Sequence, residues 1–251
     1  MSPNAHGVRK ISDDTLVKAI PRVRRTFKDE DGIPFIVMDY IPGERLDHIW
    51  PSLSVWSKLW VALTLRRYVR QLRQINSSVP GSLANSPQKC DGYVFGKPCG
   101  PFPDYASPSA FYNRKLDIAK NITYPDGHGN QTRCTGPDIE PFDDSRPLVF
   151  THEDLSMRNI IFGRDGRIWL VDWDMSGFYP PWFEYVSTVY AAESDMAPDS
   201  WNRLVLFTAD PLFNHVDGPT RGCFDSISLT NSTNTEDRLR HRGSGGSLSR
   251  T

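Results

Sequence analysis

The sequence predicts an α+β fold, with short strands toward the amino end and longer helices after them. Three observations carry this prediction. A compact apolar strand spans 35–40 and ends at Pro42 and Gly43, which interrupt regular structure. The segment 54–76 repeats its apolar residues at helical spacing. Two apolar runs within 160–171 flank an Asp-Gly turn, which predicts a hairpin.

Composition limits the classes of protein to which this chain can belong. Its 251 residues are enough for one large domain or for two lobes that share a cleft. With 29 basic and 30 acidic residues the net charge is −1, so bulk electrostatics favours neither a nucleic acid nor a membrane as partner. The four cysteines are scattered without a Cys-x-x-Cys pair, which predicts free thiols in a reducing compartment.

No signal peptide and no apolar run of membrane-spanning length is evident in the sequence. We therefore expect a soluble, cytoplasmic protein. The sequence leaves its oligomeric state open.

The first elements along the chain are predicted to be strands. Residues 8–12 and 15–19 flank two aspartates and predict a hairpin, and 20–27 predicts a further strand.

The segment 54–76 is the strongest helix, with Ser54 as its cap. Its apolar residues, taken as the core-facing side, are Val55, Trp56, Leu59, Trp60, Leu63, Val69, Leu72 and Ile75. Its arginines, Arg66, Arg67, Arg70 and Arg73, are expected to form a solvated face.

The remaining chain is predicted to alternate loops and helices. Residues 80–147 are rich in Pro, Gly, Ser and Asn, which indicates a loop-like insertion with a helix at 107–120. Further helices are expected at 181–193 and 199–208. From residue 231 onward apolar residues nearly vanish, which predicts a disordered tail.

The strongest functional signal lies between Thr151 and Asp174. Asp154 can orient a substrate hydroxyl and accept its proton, while Asn159 and Asp172 can hold the Mg²⁺ that bridges ATP phosphates. The predicted hairpin between them folds Asp172 back beside Asn159, so the two oxygen ligands converge.

Each of these residues also has a structural interpretation. Asp154 could cap loop amides, and Asn159 could be a turn residue. Asp172 follows an apolar strand, where an uncompensated carboxylate would cost free energy, and this favours metal binding. Asp174 fits a metal-assisting role and a solvent-facing role equally well. His152 is expected to be a structural hydrogen-bonding partner within the loop.

The motif as a whole resembles a known family. His-x-Asp-Leu-x-x-x-Asn at 152–159, a hairpin, Asp-Trp-Asp at 172–174 and an aromatic-proline run at 177–185 resemble the aminoglycoside phosphotransferase/choline kinase-like family of the protein-kinase-like superfamily, especially its fungal members. Glu153 stands where protein kinases usually carry arginine, which argues against a protein kinase.

The resemblance implies a two-lobed protein-kinase-like fold with a truncated N-lobe sheet and a mainly helical C-lobe. It places the N-lobe and hinge at 8–43, the C-lobe at 44–215 and a disordered tail at 216–251. It implies ATP and Mg²⁺ as cofactors and a small-molecule hydroxyl as acceptor, with acceptor contacts in 80–147. The nucleotide contacts it implies are Lys18 to the phosphates and the hinge residues Met38, Asp39, Tyr40 and Ile41.

The amino-terminal region departs from the family pattern. No Gly-rich loop precedes Val8, and the stretch from Lys18 to Phe35 is too short for both a glutamate-bearing helix and a strand. The open explanations are an enzyme with weakened ATP affinity, a catalytically inactive pseudokinase that binds or scaffolds, and an incomplete gene model. The shortened sheet is also expected to expose an apolar face.

Overall fold

A computed structural model describes residues 20–209, apart from 84–88, 93, 96–97, 122, 126–130, 134–141 and 143. The hairpin predicted at 8–19, Lys18 and the tail predicted at 216–251 lie outside the described residues. The described chain mixes helices with small antiparallel sheets, which confirms the predicted α+β class.

The elements follow one another along the chain as follows. The strands are β1 (Val23–Lys28), β2 (Pro34–Met38), β3 (Gly43–Arg45), β4 (Asn76–Ser77), β5 (Gly81–Ser82), β6 (Thr123–Pro125), β7 (Gln131–Arg133), β8 (Leu148–Thr151), β9 (Ile160–Gly163), β10 (Ile168–Leu170) and β11 (Gly177–Tyr179). The helices are α1 (Leu46–Ile49), α2 (Val55–Leu72), α3 (Ala106–Asn121), α4 (Phe183–Ser194) and α5 (Asp199–Ala209). The predicted helices are therefore present, with ends shifted by a few residues.

The amino-terminal sheet is a hairpin of β1 and β2 in antiparallel register. Asp29 closes its turn, because its side-chain oxygen accepts hydrogen bonds from the backbone amides of Asp31 at 3.1 Å and Ile33 at 2.7 Å. All residues of both strands are exposed. The apolar face expected from a shortened sheet is thus present in the described part of the chain.

Two further sheets contain the strands on either side of Asp154, β8 before it and β9 after it. One has the strand order β10-β9-β3, and the other has the order β4-β8-β11-β5. Gly43 lets β3 lie close to β9, since a Cβ at this position would fall 2.4 Å from the carbonyl oxygen of Phe162. The end of the predicted hinge is thereby fixed against the strand that follows Asn159.

Helix α2 begins as predicted, but its expected apolar face is buried only in the second half of the helix. The Ser54 side chain accepts a hydrogen bond from the amide of Ser57, as a cap does. The residues taken as core-facing in its first half are exposed, with Trp56 at 80% and Trp60 at 42% of their full accessible surface. The buried side chains of the helix are those of Val61, Ala62, Leu65, Val69 and Leu72. The prediction was correct for Val69 and Leu72 and wrong for the first half of the helix, where Val61, Ala62 and Leu65, absent from the predicted set, face the core instead.

The arginines of α2 do not all face solvent either. Arg67 and Arg70 are exposed, as expected. Arg66 bonds the carbonyl of Phe207 and stacks over its ring, and Arg73 donates to the carbonyls of Pro181 at 2.9 Å and Ala209 at 2.6 Å. These two arginines therefore fasten α5 and the start of α4 to α2.

The core consists of three clusters of buried side chains. An aromatic cluster contains Cys90, Val94, Phe95, Tyr112, Phe142, Tyr179, Trp182, Phe183 and Val186. A second cluster joins α1, α2, β9, β10, α4 and α5 around Trp50 and Trp201, whose rings meet edge to face. A third contains Leu72, Leu148, Phe150 and Phe178. None of the described helices has both the length and the apolar character needed to cross a membrane.

We predict that Gly43→Ala destabilises the protein by about 1–3 kcal/mol, because the added methyl group meets a backbone carbonyl that cannot move freely. Thermal unfolding measures the loss. The matched control is Glu44→Ala, an exposed position on the same strand, which should change the melting temperature little. Equal melting temperatures for wild type and Gly43→Ala would refute the close approach of β3 to β9.

Candidate active site

His152 is the buried centre of the loop that follows β8. Its Nε2 lies 3.1 Å from the carbonyl oxygen of Val171, and its Nδ1 accepts the amide of Asp154 at 3.2 Å. Burial lowers the pKa of His152 to about 4, so the ring is neutral at physiological pH. The ring also packs against Trp173 with centroids 4.4 Å apart. His152 thus joins the loop of Asp154 to the chain before Asp172, the structural role expected from the sequence.

Asp154 lies almost fully buried with its carboxylate held by two neighbours. The Nη2 atom of Arg158 donates to both carboxylate oxygens, at 2.9 Å and 2.8 Å, and the Nδ2 atom of Asn159 donates to Oδ2 at 2.7 Å. Each carboxylate oxygen can accept about two hydrogen bonds. Oδ1 therefore retains room for a substrate hydroxyl, whereas Oδ2 is fully used.

The amide of Asn159 has a defined orientation. Its Nδ2 contacts two acceptors, the backbone oxygen of Asp154 at 3.1 Å and the carboxylate Oδ2 of the same residue. Because a nitrogen must face these oxygens, Oδ1 of Asn159 is left as the group available to a cation. This is the orientation that a metal-binding amide requires.

Asp172 lies beyond the end of β10, beside Asn159. The amide of Val171 donates to the carbonyl of Asn159 at 3.0 Å, so the hairpin returns the chain as predicted. Asp172 has φ 63, a left-handed conformation that is rare outside glycine and often found at functional sites. Its side chain is exposed, so the expected desolvation cost was wrong and does not support metal binding.

Burial raises the pKa of Asp154 above its usual range. The positive charge of Arg158 and the hydrogen bonds from Arg158 and Asn159 oppose this rise, while the negative charge of Asp172 adds to it. The two carboxylates are therefore near enough to interact, which places Asp154, Asn159 and Asp172 in one neighbourhood.

Arg158 links this neighbourhood to α4. Its Nη2 atom holds Asp154, while its Nη1 atom bonds the carboxylate of Asp195 just beyond the end of that helix. The guanidinium thus lies between two carboxylates and fixes the orientation of the Asp154 side chain.

Glu184, from the first turn of α4, holds the backbone of the loop from behind. Its carboxylate accepts the amide of His152 at 2.7 Å and that of Glu153 at 3.2 Å. The backbone of Glu153 has φ 66, a left-handed conformation that turns the chain sharply at this residue. Glu184 therefore stabilises the strained conformation that presents Asp154.

Glu153 and Glu184 are both completely buried, and they lie close together. Burial raises the pKa of Glu184 to about 7, and burial together with the charge of Glu184 raises the pKa of Glu153 well above its usual range. The nearby hydroxyls of Thr151 and Ser187 oppose the rise at Glu153, although each donates its hydrogen bond to a backbone carbonyl. Glu153 is therefore held neutral near pH 7, since a lone buried charge would be costly.

The predicted nucleotide contacts have separate outcomes in the structure. Lys18 lies outside the described residues. Of the hinge residues, Met38 ends β2 and the other three follow it, with Tyr40 85% exposed. The amide of Asp39 already donates to the carbonyl of Arg22 at 2.9 Å, and its side chain pairs with Arg24. Adenine binding at the hinge thus remains a prediction, and it would use backbone groups other than the Asp39 amide.

Among the described residues, no group of three or more His, Cys, Asp and Glu side chains is arranged to hold a metal ion. A site for Mg²⁺ does not need one, because this ion commonly takes one or two protein oxygens and completes its shell with phosphates and water. The free Oδ1 of Asn159 and the exposed carboxylate of Asp172 fit that pattern.

The sequence analysis missed Arg158, Asp195 and Glu184. Arg158 stands four residues after Asp154, which is a spacing that often pairs side chains. Glu184 is the single acid in the aromatic-proline run, and an acid among apolar residues is a signal of a buried, hydrogen-bonded carboxylate. Nothing in the sequence near Asp195 indicates its partner.

We predict that thermal stability falls as the pH rises from about 6.5 to about 8, above the range in which the buried neutral His152 adds stability with rising pH. A carboxyl whose pKa is raised in the folded state stabilises the fold while protonated, and this contribution is lost as the pH passes through the folded pKa. Glu153→Gln should flatten the decline and raise the melting temperature at about pH 8. Calorimetric melting temperatures across this range measure the effect, with Glu44→Gln, an exposed acid on β3, as control. A wild-type stability that rises over this range would contradict the prediction.

Comparisons with known proteins concern the segment that contains the candidate active site. Residues 126–206 match the model of the phosphotransferase enzyme family, APH. No curated protein sequence matches the chain. The chain is similar to the structure of a mutant aminoglycoside 2′-phosphotransferase-IIIa in complex with GDP, at 17% identity over 90% of this chain and 72% of that chain, with a TM-score of 0.47.

The chain is also similar to the choline kinase LicA from Streptococcus pneumoniae, at 14% identity over 91% of this chain and 69% of that chain, with a TM-score of 0.33. These superpositions are loose, so the family resemblance rests on the sequence match. The matched segment contains Asp154, Asn159 and Asp172. The match to the phosphotransferase enzyme family therefore covers the candidate active site and agrees with the resemblance found in the sequence.

Proposed function

We propose that this protein is an ATP- and Mg²⁺-dependent phosphotransferase that acts on a hydroxyl group of a small molecule. The observation that carries the proposal is the arrangement of Asp154 and Asn159. Asp154 leaves its carboxylate Oδ1 available to a hydroxyl, and Asn159 leaves its amide Oδ1 available to a cation. The family match of this segment supports phosphoryl transfer, and the cofactors and acceptor are inferred from the chemistry of these groups.

In this proposal Asp154 orients the acceptor hydroxyl and receives its proton late in the transfer. Phosphoryl transfer passes through a loose transition state, so the attacking oxygen needs positioning more than early deprotonation. Arg158 and Asn159 prevent the carboxylate from rotating, which favours one direction of approach. Bound Mg²⁺ would neutralise charge on the nucleotide phosphates, with Asn159 and Asp172 as its protein ligands.

The acceptor itself is left at the level of a small molecule with a hydroxyl group. Neither Asp174, which is exposed, nor the described part of 80–147 shows a feature that selects among amino alcohols, aminoglycosides and sugars. All three classes therefore belong in the assay.

One observation favours a second candidate, a pseudokinase that binds nucleotide or a partner without transfer. The described chain contains no helix between residue 20 and β2, where a glutamate would support the phosphate-binding lysine. Both strands of the adjoining hairpin are exposed. A nucleotide that this hairpin covers only weakly would then bind, but its phosphoryl group would not be transferred efficiently.

We predict that Asp154→Asn lowers phosphoryl transfer by about 10²–10⁴-fold, because an amide cannot accept the hydroxyl proton. The assay follows phosphate transfer from Mg-ATP to a panel of amino alcohols, aminoglycosides and sugars. The matched control is Asp165→Asn, which should retain activity because Asp165 is an exposed aspartate at the tip of the β9–β10 hairpin.

Thermal shift with Mg-ATP separates the two candidate functions, because a ligand that binds the folded state raises its melting temperature. Stabilisation by Mg-ATP that Asp172→Asn abolishes, together with transfer, supports the enzyme. Stabilisation without transfer supports the pseudokinase. No stabilisation and no transfer would refute both.

We predict that Arg158→Gln lowers kcat by about tenfold or more and changes KM much less, because it removes two hydrogen bonds that orient Asp154. Arg158→Lys should recover only part of the activity, since an ammonium group cannot reproduce the planar guanidinium contact. Arg167→Gln removes a more exposed ion pair, with Asp165 at the tip of the β9–β10 hairpin, and serves as control. Unchanged kcat in Arg158→Gln would show that the contact does not position the carboxylate.

A further inference from the structure

Two cysteines outside the proposed phosphotransfer chemistry face each other across an isolated β-bridge. Cys90 and Cys99 pair in antiparallel sense, and each donates its amide to the carbonyl of the other at 2.9 Å. In the described residues both are free thiols. Such a directly opposed pair has its Cα atoms about 5.5 Å apart, inside the range that a disulfide spans.

The side chains of the two cysteines point into the same environment. Cys90 is 1% exposed within the aromatic cluster, and the partly buried Cys99 packs against that cluster. Opposed residues of an antiparallel pair project to one face, with Cβ atoms roughly 4.5–5.5 Å apart. A disulfide needs about 3.5–4.5 Å, so a small inward shift brings the sulfurs into bonding distance.

The backbone around the pair is already fixed by other contacts. The carbonyl of Lys89 accepts the amide of Ser82 at 2.7 Å, and the amide of Asp91 donates to the Tyr179 hydroxyl at 2.9 Å. Within the loop between the cysteines, the amide of Phe95 donates to the carbonyl of Gly92. The folded chain therefore holds the two thiols opposite each other before any covalent bond forms.

We propose that Cys90 and Cys99 are a dithiol site that hydrogen peroxide oxidises to an intramolecular disulfide. One thiolate sulfur attacks the peroxide, the O–O bond breaks and a sulfenic acid forms as water leaves. The second sulfur then displaces the sulfenic oxygen as another water. In total, two thiols and one peroxide give one disulfide and two waters, with two electrons passing from sulfur to the peroxide.

The surroundings of the thiols determine the speed of this reaction. Burial raises the pKa of Cys99 to about 12 and raises that of Cys90 as well, so few thiolates exist at neutral pH. We therefore expect the reaction to be faster at higher pH. A small, neutral oxidant suits a site with this little exposure.

The position of the pair gives the disulfide a structural effect. A Cβ at Gly92 would lie 3.4 Å from the carboxylate of Glu153, so the loop closed by the two cysteines borders the back of the candidate active site. Oxidation would close this loop covalently beside Glu153, the residue before Asp154. The disulfide would also restrict the unfolded chain, so the oxidised protein should melt about 5 °C higher.

The test uses the full-length protein with Cys134→Ser and Cys223→Ser, so that only the facing pair remains. After treatment with hydrogen peroxide at about pH 8, free thiols are alkylated and the tryptic peptide that contains both cysteines is weighed. We expect loss of both alkylation sites together, a peptide 2 Da lighter than the dithiol form, a melting temperature about 5 °C higher, and full reversal by dithiothreitol.

Two single variants serve as controls. In Cys90→Ala or Cys99→Ser the remaining thiol cannot close a loop, so it should stop at a sulfenic acid that dimedone traps. Disulfide-linked dimers, oxidation of one thiol to sulfinic acid in the paired protein, or full alkylation of both thiols after peroxide treatment would overturn the proposal. Because Cys99 is partly exposed, Cys99→Ser is the variant expected to fold even if Cys90→Ala does not.

Discussion

The candidate active site depends on one interaction, the acceptance of two loop amides by the carboxyl group of Glu184. The amides of His152 and Glu153 would otherwise be buried without partners, at a cost of about 1–3 kcal/mol each. Their bonds to α4 make the left-handed conformation of Glu153 tolerable. The loop then presents Asp154 on one side and buries Glu153 on the other. Helix α4, which begins thirty residues after Glu153, thus determines the geometry of the loop that carries Asp154.

A second set of contacts joins the two segments of the site. His152 bonds the carbonyl of Val171, and the amide of Val171 bonds the carbonyl of Asn159. These backbone connections, rather than direct contacts between ligands, bring Asp172 beside Asn159. The site is accordingly rigid in its main chain, while the exposed carboxylate of Asp172 keeps the freedom to meet a cation. Such rigidity is what positioning requires.

The sequence predicted the local features of this site and missed its long-range ones. The Asp-Gly turn and the spacing from Asp154 to Asp172 were readable because hairpins and motifs involve neighbouring residues. The contacts of Arg158 with Asp195 and of Glu184 with the loop join residues far apart in sequence, so no local pattern reveals them.

The helix α2 illustrates a different limit of prediction. Its existence and its cap at Ser54 were correct, since both follow from short-range patterns. Its buried face was predicted correctly only in the second half, at Val69 and Leu72. Helical spacing shows that an apolar face exists, but tertiary packing decides which side of the helix is covered, and in the first half Val61 and Leu65 lie in the core. The exposed Trp56 gives the protein an indole in contact with water, whereas Trp50 and Trp201 are enclosed. Part of the intrinsic tryptophan fluorescence should therefore be quenched by soluble quenchers, and part should not. A ligand or partner that covers α2 would reduce the quenching of the accessible part and leave the enclosed part unchanged.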